Sequence, residues 1–213
     1  MLVGERMSRP VITVSDDAPI MEAFDLLKRE NIRRAPVVKD GKLVGIISDH
    51  DLLNASPSQA TTLSVYELPY LLGKIKVRDV MTKEVISVAE DTPIEEAARI
   101  MADNKLGGLP VLRDRQVVGV ITETDLFKIF LELMGARDKG VRATFLVEEK
   151  PGQLAKLAQA VANLGGNFIA FGQFAGEDPS NRLVTFKVSG LEESQVRGEI
   201  EPFAQKIVDL RTC

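Results

Sequence analysis

Shifting the sequence by 74 positions lays residues 7 to 53 over residues 81 to 127 without a gap, and no other feature limits the possible folds as strongly. Met7 falls on Met81, Val11 on Val85, Val14 on Val88, Pro19 on Pro93, Pro36 on Pro110, Gly45 on Gly119 and Asp51 on Asp125. Such a chain must fold one small unit twice. Each copy opens with a run of strand formers, Val11 to Val14 and Val85 to Val88, after which an aspartate and a proline start a helix. Apolar spacing gives that helix a buried stripe of Ile20, Phe24 and Leu27 in copy one, and of Ile94, Ala97, Ala98 and Met101 in copy two. Two β-rich runs follow, Pro36-Val37-Val38 and Leu43 to Ile47, with Asp40-Gly41 as the hairpin turn; copy two repeats them around Asp114-Arg115. A last helix starts at Asp51 in copy one and runs from Asp125 through Met134 in copy two. The order is β-α-β-β-α, twice.

A unit of about 50 residues buries too little surface to be secure alone. The two copies are therefore expected to pack their sheets about a local two-fold axis, which leaves two symmetry-related clefts. Residues 54 to 80 join them, first as a polar turn stretch (Asn54 to Thr62) and then as a helix around Val65 to Leu72, and carry no recognisable chemistry.

The period changes at Val141, where a separate domain begins. Val141 to Val147 reads as a strand and Pro151-Gly152 as a turn, before a helix with Leu154, Leu157, Ala158 and Val161 inward that ends at Gly165. Strands Asn167 to Phe174 and Leu183 to Val188 flank a hairpin tip at Gly176 to Pro179. A helix with Val196, Ile200, Phe203 and Ala204 and a strand from Ile207 to Leu210 complete a β-α-β-β-α-β order, that of a ferredoxin-like fold. The fold class is thus α/β (α+β), divided into residues 1–73 (first repeat with the connecting segment), 74–136 (second repeat) and 141–213.

Composition narrows the function. With 27 basic and 31 acidic residues and a net charge of −4, the chain lacks the cationic surplus of a nucleic-acid binder. One cysteine, Cys213, and one histidine, His50, cannot build a disulfide or a Cys/His metal site. The charged start and the absence of a run of roughly 20 apolar residues argue against a secretory signal and a membrane span. A cytoplasmic setting is expected, and Asn54-Ala55-Ser56 is then an accidental glycosylation match. No phosphate loop, nucleophile elbow or carboxylate pair stands out, and His50 between Asp49 and Asp51 reads as solvated, so catalysis is not expected.

The runs that carry chemistry close each repeat: Gly45-Ile46-Ile47-Ser48-Asp49-His50-Asp51 and Gly119-Val120-Ile121-Thr122-Glu123-Thr124-Asp125. An aspartate can accept from two vicinal hydroxyls, and a hydroxyl beside helix amides suits an anion. The same spacing also suits a helix cap. With the duplication, these runs make residues 1 to about 135 resemble a tandem pair of cystathionine β-synthase (CBS) domains. That resemblance implies a regulatory adenine nucleotide (AMP, ADP or ATP) in a cleft that mixes the copies, with the aspartate on ribose and the Ser/Thr toward phosphate. It gives the first cleft Ser48, Asp51, Ser87, Thr92, Leu106 and Gly108, with Arg33 and Arg34 available for phosphate. The second cleft receives Thr122, Asp125, Thr13, Ala18 and Ile32, with Arg34 also within its pattern. The first is favoured because it has Thr92, and because copy two carries Gly107 and Gly108 in place of the arginines. Thr92-Pro93-Ile94-Glu95 also reads as a capping box, and paired arginines also suit a solvated surface. Mg²⁺ would accompany only a polyphosphate.

Lys150-Pro151-Gly152-Gln153-Leu154 and Leu164-Gly165-Gly166-Asn167 make residues 141–213 similar to an ACT domain, a module that binds amino acids and pairs with itself. Gly152, Gln153 and Asn167 would then lie near an amino acid, although Pro-Gly and Gly-Gly also serve any turn or helix end. The whole arrangement resembles the acetoin-utilisation B family. It implies a nucleotide-responsive regulator, at least dimeric, acting on an unidentified enzyme; the alternatives are an amino-acid-responsive regulator with empty CBS clefts and, more remotely, an enzyme.

Overall fold

The structure, a computed structural model, describes residues 1–55 and 73–213. The helix expected around Val65 to Leu72 lies outside the described residues. The chain divides into two compact units, Met1–Leu126 and Phe127–Cys213.

The first unit opens with a single helical turn, α1 (Val3–Arg6). Copy one follows as β1 (Val14–Ser15), α2 (Ile20–Arg29), β2 (Arg34–Lys39), β3 (Lys42–Ser48) and α3 (Asp49–Ala55). A second turn, α4 (Val77–Val80), precedes copy two: β4 (Val88–Ala89), α5 (Ile94–Asn104), β5 (Gly108–Arg113), β6 (Gln116–Thr122) and α6 (Glu123–Leu133), which runs on into the second unit. In each copy a short parallel pair, β1 with β2 or β4 with β5, extends an antiparallel hairpin. The hairpin turns hold both central residues at positive φ, Asp40 (49°) with Gly41 (76°) and Asp114 (48°) with Arg115 (68°), the conformation that matches the twist of the flanking strands.

The first strands are shorter than expected. Only Val14 and Ser15 reach ladder partners, Val37 and Val38, so Val11 to Thr13 stay outside the sheet, as do Val85 to Ser87 in copy two. The last helices begin two residues early, at Asp49 and Glu123, because Ser48 and Thr122 occupy the position that caps them. The α2 stripe is Ile20, Ala23 and Leu27, with Phe24 half-buried; in α5, Ala97 and Met101 are buried and Ile94 and Ala98 half-buried.

The two cores are cross-stitched. Val3 and Met7, which stand ahead of β1 of copy one in sequence, are buried among Val88, Ala97, Leu109, Val111 and Ile121 of copy two. Val77, which precedes copy two, is buried in copy one among Val14, Leu27, Val37 and Ile47, with Ile75, Val80 and Met81 packed against it. Backbone bonds fasten the exchange: Val3 N donates to Thr92 O (2.9 Å) and Gly4 N to Glu90 O (2.7 Å), and Val77 N and Arg78 N donate to Ala18 O and Asp16 O (both 2.9 Å). Methionine side chains lie where a Cβ would stand on the buried glycines, Met81 at Gly45 and Met7 at Gly119. The sequence grouping into 1–73 and 74–136 is therefore crossed by both cores.

The second unit carries β7 (Val141–Glu148), α7 (Gln153–Asn163), β8 (Asn167–Ala175), β9 (Asn181–Ser189), α8 (Glu193–Ile200) and β10 (Ala204–Thr212). This is the β-α-β-β-α-β order expected. The antiparallel sheet runs β10-β7-β9-β8. Phe145 and Phe186 meet edge to face at 5.6 Å in its core, beside Leu157, Val161, Val196 and Ile200. The buried face of α7 is Leu157, Ala160 and Val161, so the expected stripe is corrected at two places. Leu154 sits in the first turn and is 38% exposed, and Ala158 is turned about 100° away from Leu157. Helix α8 stops at Ile200, which leaves Phe203 in the following turn and makes Ala204 the first residue of β10, opposite Val147.

Candidate functional site

Each β-strand-to-helix junction that closes a copy builds the same small polar knot. Asp51 N donates to Ser48 Oγ (3.2 Å), while Asp51 Oδ2 accepts from Ser48 N (2.8 Å) and Ser48 Oγ (2.6 Å). Asp125 N donates to Thr122 Oγ1 (3.4 Å), and Asp125 Oδ2 accepts from Thr122 N (3.0 Å) and Thr122 Oγ1 (2.7 Å). Both junctions are thus reciprocal caps, and the hydroxyl's one proton is committed to the aspartate. Capping uses only one carboxylate oxygen.

The other oxygen separates the copies. Among the described residues no donor reaches Asp51 Oδ1, and Asp51 is half-buried. Asp125 is only 6% exposed, and its Oδ1 accepts from Ser8 Oγ at 3.5 Å. Ser8 comes from the N-terminal segment, whose exchange into copy two the sequence reading missed. The 74-residue shift carries the signal, since it continues backwards to place Val3 on Val77.

Arg34 opens β2 opposite Ser48 and crosses to the other copy. A Cβ on Gly107 would stand 2.7 Å from Arg34 Nη2 and 3.3 Å from Glu123 Oε2, so the bare glycine makes room for the guanidinium beside an acid. Arg33 is exposed, and its carbonyl accepts from Asp49 N (2.9 Å), as the Gly107 carbonyl does from Glu123 N (3.2 Å). Gly108 is buried at the start of β5, opposite Thr122.

Thr92 does not form the capping box that its sequence suggests. Pro93 occupies the cap position of α5 with no side-chain bond; the Thr92 N–H that the box would use donates to Ala89 O (3.1 Å), and its carbonyl accepts from Val3 N (2.9 Å). Its hydroxyl makes no hydrogen bond among the described residues. The matched residue in copy one, Ala18, has no hydroxyl at all. Ser87 and Thr13 are half-buried just before β4 and β1, and Leu106 and Ile32 pack against their own copies' cores. No described hydrogen bond ties these residues to Asp51. His50 is exposed, its backbone N donating to Asp49 Oδ1 (2.8 Å).

In the second unit Gly152 caps α7 at φ 84°, with no atom within 4 Å of the place a Cβ would take. Gln153 follows, half-buried, and Asn167 is exposed at the start of β8, opposite Ser189. The described contacts do not join Asn167 to Gly152 or Gln153. Among the described residues there is no group of three metal-binding side chains and no helix long and apolar enough to cross a membrane.

Two segments, residues 3–58 and 77–132, match the family model of the CBS domain, and together they make up more than half of the chain. The L-aspartate semialdehyde sulfurtransferase of Methanocaldococcus jannaschii is 34% identical over 131 residues, which is 61% of this chain but 23% of that enzyme. Similar solved structures include these three. The CBS domain pair of protein MJ0100, in complex with 5′-methylthioadenosine and S-adenosyl-L-methionine, is 33% identical over 65% of this chain and 98% of its own, with a TM-score of 0.51. A putative acetoin utilization protein, AcuB, from Vibrio cholerae is 30% identical over 64% of this chain and 95% of its own (TM-score 0.53). CBSX2 in complex with AMP is 30% identical over 61% of this chain and 96% of its own (TM-score 0.50). Related CBS pairs thus bind adenosyl ligands. Duplicate folds, matched caps and the family match at both copies make this chain a member of the CBS-domain family.

Proposed function

We propose that this chain is a non-catalytic regulatory protein that binds an adenine nucleotide in its first cleft. The observation that carries the reading is the half-used carboxylate of Asp51: one oxygen caps α3, and the other is left to accept from ribose hydroxyls. Similar CBS pairs hold AMP or S-adenosyl-L-methionine, which supports the ligand class. Thr92, relieved of capping, offers a hydroxyl to the ligand. Arg34, and Arg33 beside it, supply permanent positive charge for phosphate, with Ser87, Leu106 and Gly108 completing the pocket. Thr122, Asp125, Thr13, Ala18 and Ile32 form a weaker second cleft. Mg²⁺ enters only with a polyphosphate.

Nucleotide binding regulates if the ligand prefers one arrangement of the two copies, and an attached domain or a partner enzyme reads that preference. The second unit serves as an ACT module that reads an amino acid near Gly152, Gln153 and Asn167; the open left-handed turn at Gly152 favours this reading. On this reading the chain works in the cytoplasm, in acetoin or related carbon metabolism, and its likeness to AcuB supports that assignment. Exposed Phe127 (67%), Phe130 (53%) and Leu133 (61%) on α6 support self-association. Calorimetric titration with AMP, ADP, ATP, NADH and S-adenosylmethionine is the test. A saturable signal from at least one is expected, and silence from all with folded protein refutes the reading.

A further inference from the structure

We infer that the N-terminal segment keeps the second cleft closed through Ser8, so that the two clefts are unequal and the first fills alone at low ligand concentration. The inference rests on the nucleotide reading given above. Its evidence is the different engagement of two carboxylates that the repeat makes equivalent. Asp125 Oδ1 accepts from Ser8 Oγ (3.5 Å) inside a site where the aspartate is 6% exposed. Thr82, the residue matched to Ser8, makes no described side-chain bond to Asp51, although it pairs with Ile46 through its backbone (2.9 and 3.0 Å) much as Ser8 pairs with Val120 (2.9 and 3.4 Å).

A serine hydroxyl on Oδ1 of Asp125 takes the place that a ribose hydroxyl would claim. Ligand must therefore displace it before the same bond can form. The segment that delivers Ser8 is held from both sides. Val3 is fully buried and Met7 is 7% exposed in the core of copy two, and Arg9 lies 3.6 Å from Glu90. The hydroxyl is thus supplied within the chain, and no association entropy is lost in placing it. The bond itself stands at the long limit for an O–H donor, and Ser8 is exposed, so this is a closure that ligand can open at a cost.

The test is AMP titration by calorimetry of the full chain as wild type, Asp51→Ala, and Asp51→Ala with Ser8→Ala. Removing Asp51 isolates the second cleft. Adding Ser8→Ala should then tighten AMP about fivefold, the factor an ordinary hydrogen bond is worth. Equal affinity with and without Ser8 overturns the inference, as does weaker binding, which would make Ser8 a ligand contact, or no binding to the double variant. Silence from the wild type would instead refute the nucleotide reading on which the inference stands. Asp51→Asn, which keeps an acceptor for the cap, replaces Asp51→Ala if the latter unfolds at the titration temperature.

Discussion

Copy one and copy two share one backbone plan, yet they differ at the few positions where a ligand would be read. The hairpin turns, the short parallel pairs and the reciprocal caps recur 74 residues apart with nearly the same bonds. Ala18 against Thr92, Arg34 against Gly108, and an open Asp51 against a covered Asp125 do not recur. Duplication therefore supplies the scaffold and the pair of clefts, while single substitutions decide which cleft is receptive. Arg34 makes the point physically: its guanidinium lies where a Cβ on Gly107 would crowd it, so the bare glycine leaves it room.

The cross-stitching gives the comparison its largest expected effect. Deleting residues 1 to 8 removes Val3 and Met7 from the core of copy two, so the loss should fall on copy two although the cut lies ahead of β1 of copy one. Two buried apolar side chains are worth about 4 kcal/mol or more by the cost of large-to-small core changes. Chemical denaturation measures the loss, and hydrogen exchange should show β5 and β6 unprotected before β2 and β3; the opposite order would refute the exchange. A smaller effect separates the two signature glycines. Gly119→Ala should cost about 1–3 kcal/mol because the three atoms nearest its Cβ all belong to the Met7 side chain, and Met7→Ala should relieve much of that in the double variant. At Gly45 the Thr82 carbonyl, a backbone atom, is among the three nearest at 3.0 Å, so Met81→Ala should rescue Gly45→Ala less well.

The smallest effect is electrostatic. A two-pronged bond from Arg113, with Arg9 nearby, holds the Glu90 carboxyl below the ordinary value of 4.5, and the matched pair in copy one is the looser Asp16–Lys39 contact at 3.6 Å. A depressed carboxyl stabilises fully above its unfolded value and less as pH falls through the folded one. Glu90→Gln should accordingly leave a small deficit at neutral pH that shrinks below about pH 4.5, followed as the denaturation midpoint against pH. A deficit that grows on acidification would contradict the pairing.

Much of this was legible in the sequence because it is local. Asp40-Gly41 specifies its turn, Gly165 ends its helix at φ 80°, and Ser48 with Asp51 specifies a cap within four residues of chain. The long-range features were not. The sequence reading groups Met1 to Ser8 with the first repeat, since nothing local says that Val3 and Met7 cross to the other copy. The Thr92 box failed because its N–H is donated to Ala89 O instead. Leu154 fitted the helical period but lies in a first turn that the core does not cover, which spacing alone does not reveal. At the site, the reading found the aspartates and arginines from their pattern and missed Ser8 and Glu123, whose relevance comes only from what packs beside them.

The account stands most directly on AMP titration of Asp51→Ala beside Asp125→Ala. Loss of about 2 kcal/mol or more of binding on removing Asp51, with Asp125→Ala close to wild type, is the result expected if one carboxylate holds both ribose hydroxyls. Full-strength binding by Asp51→Ala, with the loss confined to Asp125→Ala, would contradict it.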